Sequence, residues 1–97
     1  MLFPIALTAD ATGTLRALAP DLPGCAVAGA TEPTVLPLLR LAIEDELTRR
    51  LLAGEPLPDT RDGRPPAGPA PAGLRRWLTI HINLDHLRAL ATHQAGR

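Results

Sequence analysis

Few residues in this chain could do chemistry, and their spacing does not assemble any. Asp10 and Asp21 fall in turn-like stretches, Glu44, Asp45 and Glu46 on a helical stretch, and Asp59, Asp62 and Asp85 in loops. A metal-dependent nuclease needs several carboxylates converging on its cations, and none of these occupies an inward strand position beside another. His81 and Asn83 alternate onto one strand face with Asp85 just beyond, and His86 follows. Two histidines and one carboxylate without a further anchor make a weak ligand set, so His81 reads as a half-buried or partner-facing side chain. Cys25 has no histidine or basic residue near it in sequence and reads as a small buried group. No catalytic residue, no metal site and no cofactor is expected.

The whole chain supports binding rather than catalysis. Its 97 residues make one small domain, a size that buries a modest share of its surface and often leans on a partner. Ten arginines, no lysine and ten acidic residues give zero formal charge. An autonomous nucleic-acid binder would show a clustered basic footprint, and Phe3 and Trp77 are the only aromatics on which bases could stack. The single cysteine excludes a disulfide framework. The N-terminus has no basic residue ahead of its apolar run, unlike a signal peptide, and no apolar segment approaches the roughly 18 residues that span a bilayer. The expected location is cytoplasmic.

Periodicity defines the elements that would carry a binding surface. Leu2 to Thr8 alternates as a strand with Phe3, Ile5 and Leu7 on one face, and Pro4 favours a sheet edge or a strand start. Asp10 to Gly13 is a hairpin turn and Thr14 to Ala19 the return strand, with neither face clearly wet. Pro23 and Gly24 make a rigid corner after Asp21, and Cys25 to Ala28 is a short third strand. A helix is predicted over 35–53, with Thr34 as N-cap so that Pro37 falls in the first turn, and with Gly54 as C-cap. Its apolar stripe is Val35, Leu38, Leu39, Ala42 and Ile43, continued by Leu47 and Leu51. Leu41 and Leu52 lie off that stripe, either covered by a partner or scattered on the surface.

From Glu55 to Gly73 the chain holds six prolines and three glycines, which reads as a stiff linker or a disordered loop over 59–76. Trp77 to Leu84 then alternates for eight residues, the strongest strand signal present. It either completes the sheet or pairs with a second copy. Residues 85–91 have room for one or two helical turns, and 88–97 reads as a frayed tail. The expected class is α+β: a three-stranded antiparallel sheet packed by one helix, plus a C-terminal strand, in the order β-β-β-α-β.

Phe3-Pro4-Ile5, Gly13, Asp21-Leu22-Pro23-Gly24-Cys25, Ala28-Gly29, Ala42-Ile43-Glu44, Gly54-Glu55-Pro56-Leu57-Pro58 and the Trp77–Leu84 strand together resemble the HicB-like antitoxin domain. The resemblance covers about 1–58 and 77–87. It implies a trimmed ribonuclease H-like core without catalytic carboxylates, and a structural role for Pro23, Gly24, Gly54 and Pro56 at its corners. It also implies a partner, a small basic mRNA-cleaving toxin neutralised by masking. On that reading Asp21 and Glu44 would meet basic groups of the partner, Leu41 would be an apolar anchor, and His81 would face the partner.

Three departures qualify the likeness. Thirteen residues follow Leu84, too few for a helix-turn-helix or ribbon-helix-helix, so direct DNA binding is not expected. Pro33, Val35, Pro37 and Leu38 stand at the helix start, and Arg49 and Arg50 near its end, where the family differs. The alternative reading is an orphan homo-oligomeric regulatory or scaffold domain of the same fold. A homodimer is expected under either reading, because an open sheet leaves strand edges unpaired.

Overall fold

The alternation of Phe3, Ile5 and Leu7 with Pro4, Ala6 and Thr8 sets the architecture, because all six residues are buried. Successive strand residues point to opposite faces, so this strand needs cover on both sides. The computed structural model describes residues 1–95. Strands β1 (Leu2–Ala9), β2 (Leu15–Leu18), β3 (Ala26–Gly29) and β4 (Leu74–His81) form one antiparallel sheet in the order β3-β2-β1-β4. Helix α1 (Glu32–Ala53) lies on one face, and helix α2 (Leu84–Ala95) follows β4. The architecture is α+β, and the C-terminal strand joins this chain's own sheet beside β1.

Of the two expectations for Pro4, the sheet edge fails because β1 is central, while Pro4 does lie near the start of its strand, two residues after Leu2. The register explains how a proline is accommodated. Met1 and Ile82 exchange backbone hydrogen bonds of 2.9 and 2.7 Å, so the odd residues of β1 bond to β4 and the even ones point toward β2. Strand β2 begins its pairing only at Ala6↔Leu18, so the missing N–H of Pro4 points past the end of β2.

The β1–β2 hairpin is closed by the Asp10 carboxylate, which accepts from the Thr12 amide at 2.9 Å, the Thr12 hydroxyl at 2.6 Å and the Thr14 amide at 3.1 Å. These bonds, the Thr12 hydroxyl foremost, hold the Asp10 carboxyl below its ordinary value. In β2 the faces separate clearly: Leu15 and Ala17 are buried and Arg16 is exposed. The corner after β2 is two linked turns, with the Leu22 amide donating to Ala19 and the Cys25 amide to Leu22. Pro23 and Gly24 occupy the centre of the second turn, where Gly24 takes φ +94°, the conformation a type II turn requires there. Between the turns Leu22 is driven fully into the core.

Helix α1 starts at Glu32 with Thr31 as N-cap, three residues before the predicted start at Val35. The Thr34 and Val35 amides both donate to the Thr31 carbonyl, so 31–34 is the first helical turn. Pro33 suits that turn, where its N–H would have no partner. Pro37 falls in the second turn and forfeits the bond to the Pro33 carbonyl. Full burial of Val35 and Leu39 on either side holds the helix through that gap. The stripe Val35, Leu39, Ile43 and Leu47 packs on Phe3, Ile5, Leu7, Ile80 and Ile82.

Gly54 ends α1 at φ +70°, with the Glu55 amide donating to the Arg50 carbonyl at 2.9 Å. The last turn is tied to the following chain by a charged network. Arg49 bridges Glu46 and Glu55 at 2.8 and 2.9 Å, while Arg50 bonds Glu46 at 3.1 Å and the Pro56 carbonyl at 3.3 Å. Arg49 and Arg50 are thus engaged internally.

The Pro/Gly-rich segment folds over the second face of the sheet. Thr60 is buried, and a Cβ on Gly63 would lie 3.0 Å from the side chains of both Leu2 and Thr79. A short 3₁₀ turn (Arg61–Gly63) forms there, with Arg61 and Asp62 both left-handed at φ +52° and +55°. Such a conformation costs a non-glycine residue roughly 1–2 kcal/mol. Gly73 then enters β4 at φ +73°, where a Cβ would sit 2.4 Å from the Ala9 carbonyl oxygen. A bulge at Arg75 follows, since Leu7 pairs with Arg76 but Thr8 with Leu74.

The chain does not fray after 87. The Asn83 side chain accepts from the His86 amide at 3.1 Å and caps α2, whose Leu87 and Ala91 are buried. The expected strand through Leu84 therefore stops at His81, and most of the expected tail is helix. Residues 96 and 97 of that tail lie outside the described residues.

The Glu46 network predicts an acid-labile helix end. Arg49 and then Arg50 hold the Glu46 carboxyl at about 2, below the ordinary 4.5. A carboxyl depressed in the folded state stabilises it above the unfolded value, and that contribution is lost as pH falls through the folded one. Wild-type stability should therefore drop between about pH 4.5 and 2, and Glu46→Gln should flatten that drop in urea titrations. An identical pH profile for the variant would contradict it.

Candidate partner-binding surface

Helix α1 is amphipathic toward the sheet, yet its outward side is not uniformly polar. Leu38, Leu41 and Leu52 are 46%, 57% and 46% exposed, and Leu90 of α2 is 42% exposed. Helix α2 is held against α1 through Leu87, which joins the same core. Between the two helices lies an open groove of about 570 Å³. Leu41 and Leu52 supply its apolar floor from one side and Leu90 from the other, with Glu44, Asp45 and His86 at the margins.

The charge available in the groove is negative. Arg49 also lines it, but its guanidinium is held by Glu46 and Glu55. Among the described residues, no hydrogen bond or ion pair engages the Glu44 or Asp45 carboxylate. Arg40, one turn before Glu44 on α1, donates to the His81 carbonyl at 2.5 Å.

The sequence-derived candidates do not converge on one place. Leu41 and Glu44 line this groove together. His81 sits at the end of β4, in register with Leu2 and exposed on the opposite face of the sheet from α1. The Asp21 carboxylate is not presented outward: Arg61 Nη2 binds both its oxygens at 2.8 and 2.9 Å, and only 10% of the Asp21 side chain is accessible. Pro23, Gly24, Gly54 and Pro56 all lie in the turns that join elements.

Among the described residues, no three of His, Cys, Asp or Glu gather as a metal ion would need. The Cys25 thiol is buried against α1, 3.7 Å from the Ala42 carbonyl, and burial pushes its pKa up, opposite to a reactive thiolate. No helix among the described residues is long and apolar enough to cross a membrane. The sequence allows one or two helical turns over 85–91, but with the strand extended through Leu84 it gives them no part in a partner surface. Asn83 as a cap, Asp85 in the first turn and Leu84, Leu87 and Ala91 at helical spacing were the signals for α2.

A four-stranded antiparallel sheet carrying one long helix, its last strand returning beside the first, is a fold this chain shares with a solved domain. The crystal structure of the N-terminal domain of Burkholderia Pseudomallei antitoxin HicB is similar to this chain, with a TM-score of 0.63 at 21% identity. The match covers 86% of this chain and 99% of that domain. No family model and no curated protein matches the sequence.

The engagement of Asp21 predicts that Arg61 acts on stability. Arg61→Ala would leave a nearly buried carboxylate without its partner, and should cost about 1–3 kcal/mol by urea unfolding. Asp21→Asn in the same background should add much less than it does alone, since both changes break one interaction. Additive effects would contradict the pairing.

Proposed function

We propose that this chain is an antitoxin-like protein-binding domain that neutralises a small, basic, mRNA-cleaving toxin by masking its RNA-contacting surface. It acts by binding and not by catalysis, in the cytoplasm, and as a homodimer. The reading keeps the trimmed ribonuclease H-like core without catalytic carboxylates that the resemblance implies. The observation that carries it is the α1–α2 groove on a HicB-like fold, where Leu41, Leu52 and Leu90 lie exposed beside the unengaged carboxylates of Glu44 and Asp45.

That combination suits a basic partner. Apolar anchors buried at an interface centre supply most of the affinity, while complementary charge at the rim steers encounter and excludes acidic competitors. Leu41 is the central anchor and Glu44 and Asp45 are rim charges on this reading. Asp21 is a structural residue holding the Pro/Gly-rich segment in place. No DNA-binding role is proposed for the described residues.

The test is co-expression with the protein encoded beside this gene, followed by pull-down and an RNA-cleavage assay. Capture of a basic neighbour with silenced cleavage is expected. Leu41→Arg should weaken that capture by roughly thirtyfold, about 2 kcal/mol, with an unchanged thermal melt because Leu41 is 57% exposed. A neighbour that does not bind would favour the orphan homo-oligomeric domain. Unaltered capture by the Leu41→Arg protein would move the interface to another face.

A further inference from the structure

The two edges of the sheet are treated differently. On β4, Ile82 bonds to β1, so by alternation the carbonyl of His81 points outward. Arg40 satisfies that carbonyl, and the bulge at Arg75 distorts the other end of the strand. Both are devices that keep a second strand from adding to an edge.

Strand β3 has neither. The Ala19 amide donates to the Cys25 carbonyl at 3.0 Å, and the register continues through Ala17↔Val27 and Leu15↔Gly29. Cys25, Val27 and Gly29 therefore face β2, while the backbone groups of Ala26, Ala28 and Ala30 face away from the sheet. The Ala26 amide turns back to the Gly24 carbonyl at 3.1 Å. The Ala28 N–H and C=O, the Ala26 C=O and the Ala30 N–H have no strand beside them. No charged residue, proline or bulge interrupts Ala26 to Ala30.

Helix α1 extends this edge in the apolar direction. Its row Thr34, Leu38, Ala42 runs along β3. Thr34 Cγ2 lies 3.5 Å from where a Gly29 Cβ would be, and the Ala42 carbonyl meets the Cys25 thiol at 3.7 Å. Leu38, between those two residues on the same row, is 46% exposed, and Val27 on the same face of the sheet is half-buried.

We propose that β3 is the self-association edge of this protein, pairing antiparallel with β3 of a second copy about a two-fold axis at Ala28. This gives the proposed homodimer its surface and does not depend on any toxin. The symmetric register is the argument for a second copy as the occupant. Ala28 meets its own equivalent and exchanges both backbone bonds with it. The Ala30 N–H of each copy reaches the Ala26 carbonyl of the other, so these four outward groups are satisfied. Side chains directly opposed on the outer face are alanines, and no like charges meet. With the axis perpendicular to the sheet, Leu38 and Val27 of each copy come together beside the junction, which buries apolar surface that the monomer exposes. The result is one eight-stranded sheet with protected β4 edges at both ends. The α1–α2 groove lies on the other flank of α1 and stays open.

The experiment is light scattering on the full chain at about 100 µM, where a stable dimer would be fully formed, with amide hydrogen exchange on the same sample. A mass of twice 10.3 kDa is expected. The Ala28 and Ala30 amides should exchange at least about a hundredfold more slowly than in a sample diluted to monomer. Ala28→Pro removes an N–H that serves no bond within the chain and should give a folded monomer. Leu38→Arg is the second variant, at an exposed site, and should weaken the dimer at least tenfold. A monomer at that concentration would overturn both the dimer and its surface. A dimer with freely exchanging Ala28 and Ala30 amides would overturn the surface alone. Protection seen only with the neighbouring protein present would assign the edge to that partner and overturn self-pairing.

Discussion

Strand β1 is buried from Phe3 to Thr8 on both faces, with one long helix among the described residues to cover it. Phe3, Ile5 and Leu7 are met by the stripe of α1, which is ordinary helix-on-sheet packing. Pro4, Ala6 and Thr8 need a second layer, and no second long helix is available. The Pro/Gly-rich segment supplies that cover as irregular chain. Proline limits the entropy it loses on ordering, and the Arg61–Asp21 pair anchors it to the corner after β2. Small side chains on that side of the strand let the loop approach closely.

Much of the frame was legible in the sequence because it rests on local rules. Alternation revealed β1 and β4, Gly54 marked the end of α1, and Pro23-Gly24 marked the corner. The errors occurred where tertiary packing outweighed a local preference. Pro37 argued for a late helix start, but burial of Val35 and Leu39 holds the helix across it. Pro4 argued for an edge, but the shortness of β2 leaves its nitrogen nothing to bond. The segment after Pro58 read as a linker from composition, and only the distant partner Asp21 shows why it is a layer. The candidate surface was half legible. Leu41 and Glu44 were visible as residues off the apolar stripe, whereas the α2 wall depended on recognising Asn83 as a cap rather than as one more strand position.

The two proposed surfaces divide the helix between them. Leu38 lies on the flank toward β3, and Leu41 and Leu52 on the side toward α2. One helix can thus present an apolar row to a second copy and another to a partner without competition between them. The unengaged acidic residues, Glu44 and Asp45, lie beside the second row, whereas Glu46 at the end of the first is paired with Arg49 and Arg50, so charge distinguishes a basic partner from the edge of a second copy.

The chain also contains its own gauge of motion. Its single thiol, Cys25, sits between the start of β3 and the Ala42 turn of α1, and its environment favours the protonated, unreactive form. Because that sulfur is nearly buried, a reagent reaches it most readily when the helix and the β3 edge part. The rate of thiol modification therefore measures the opening of this seam, with no label or added residue needed. Comparing that rate with global unfolding would separate partial detachment of the edge from loss of the whole fold.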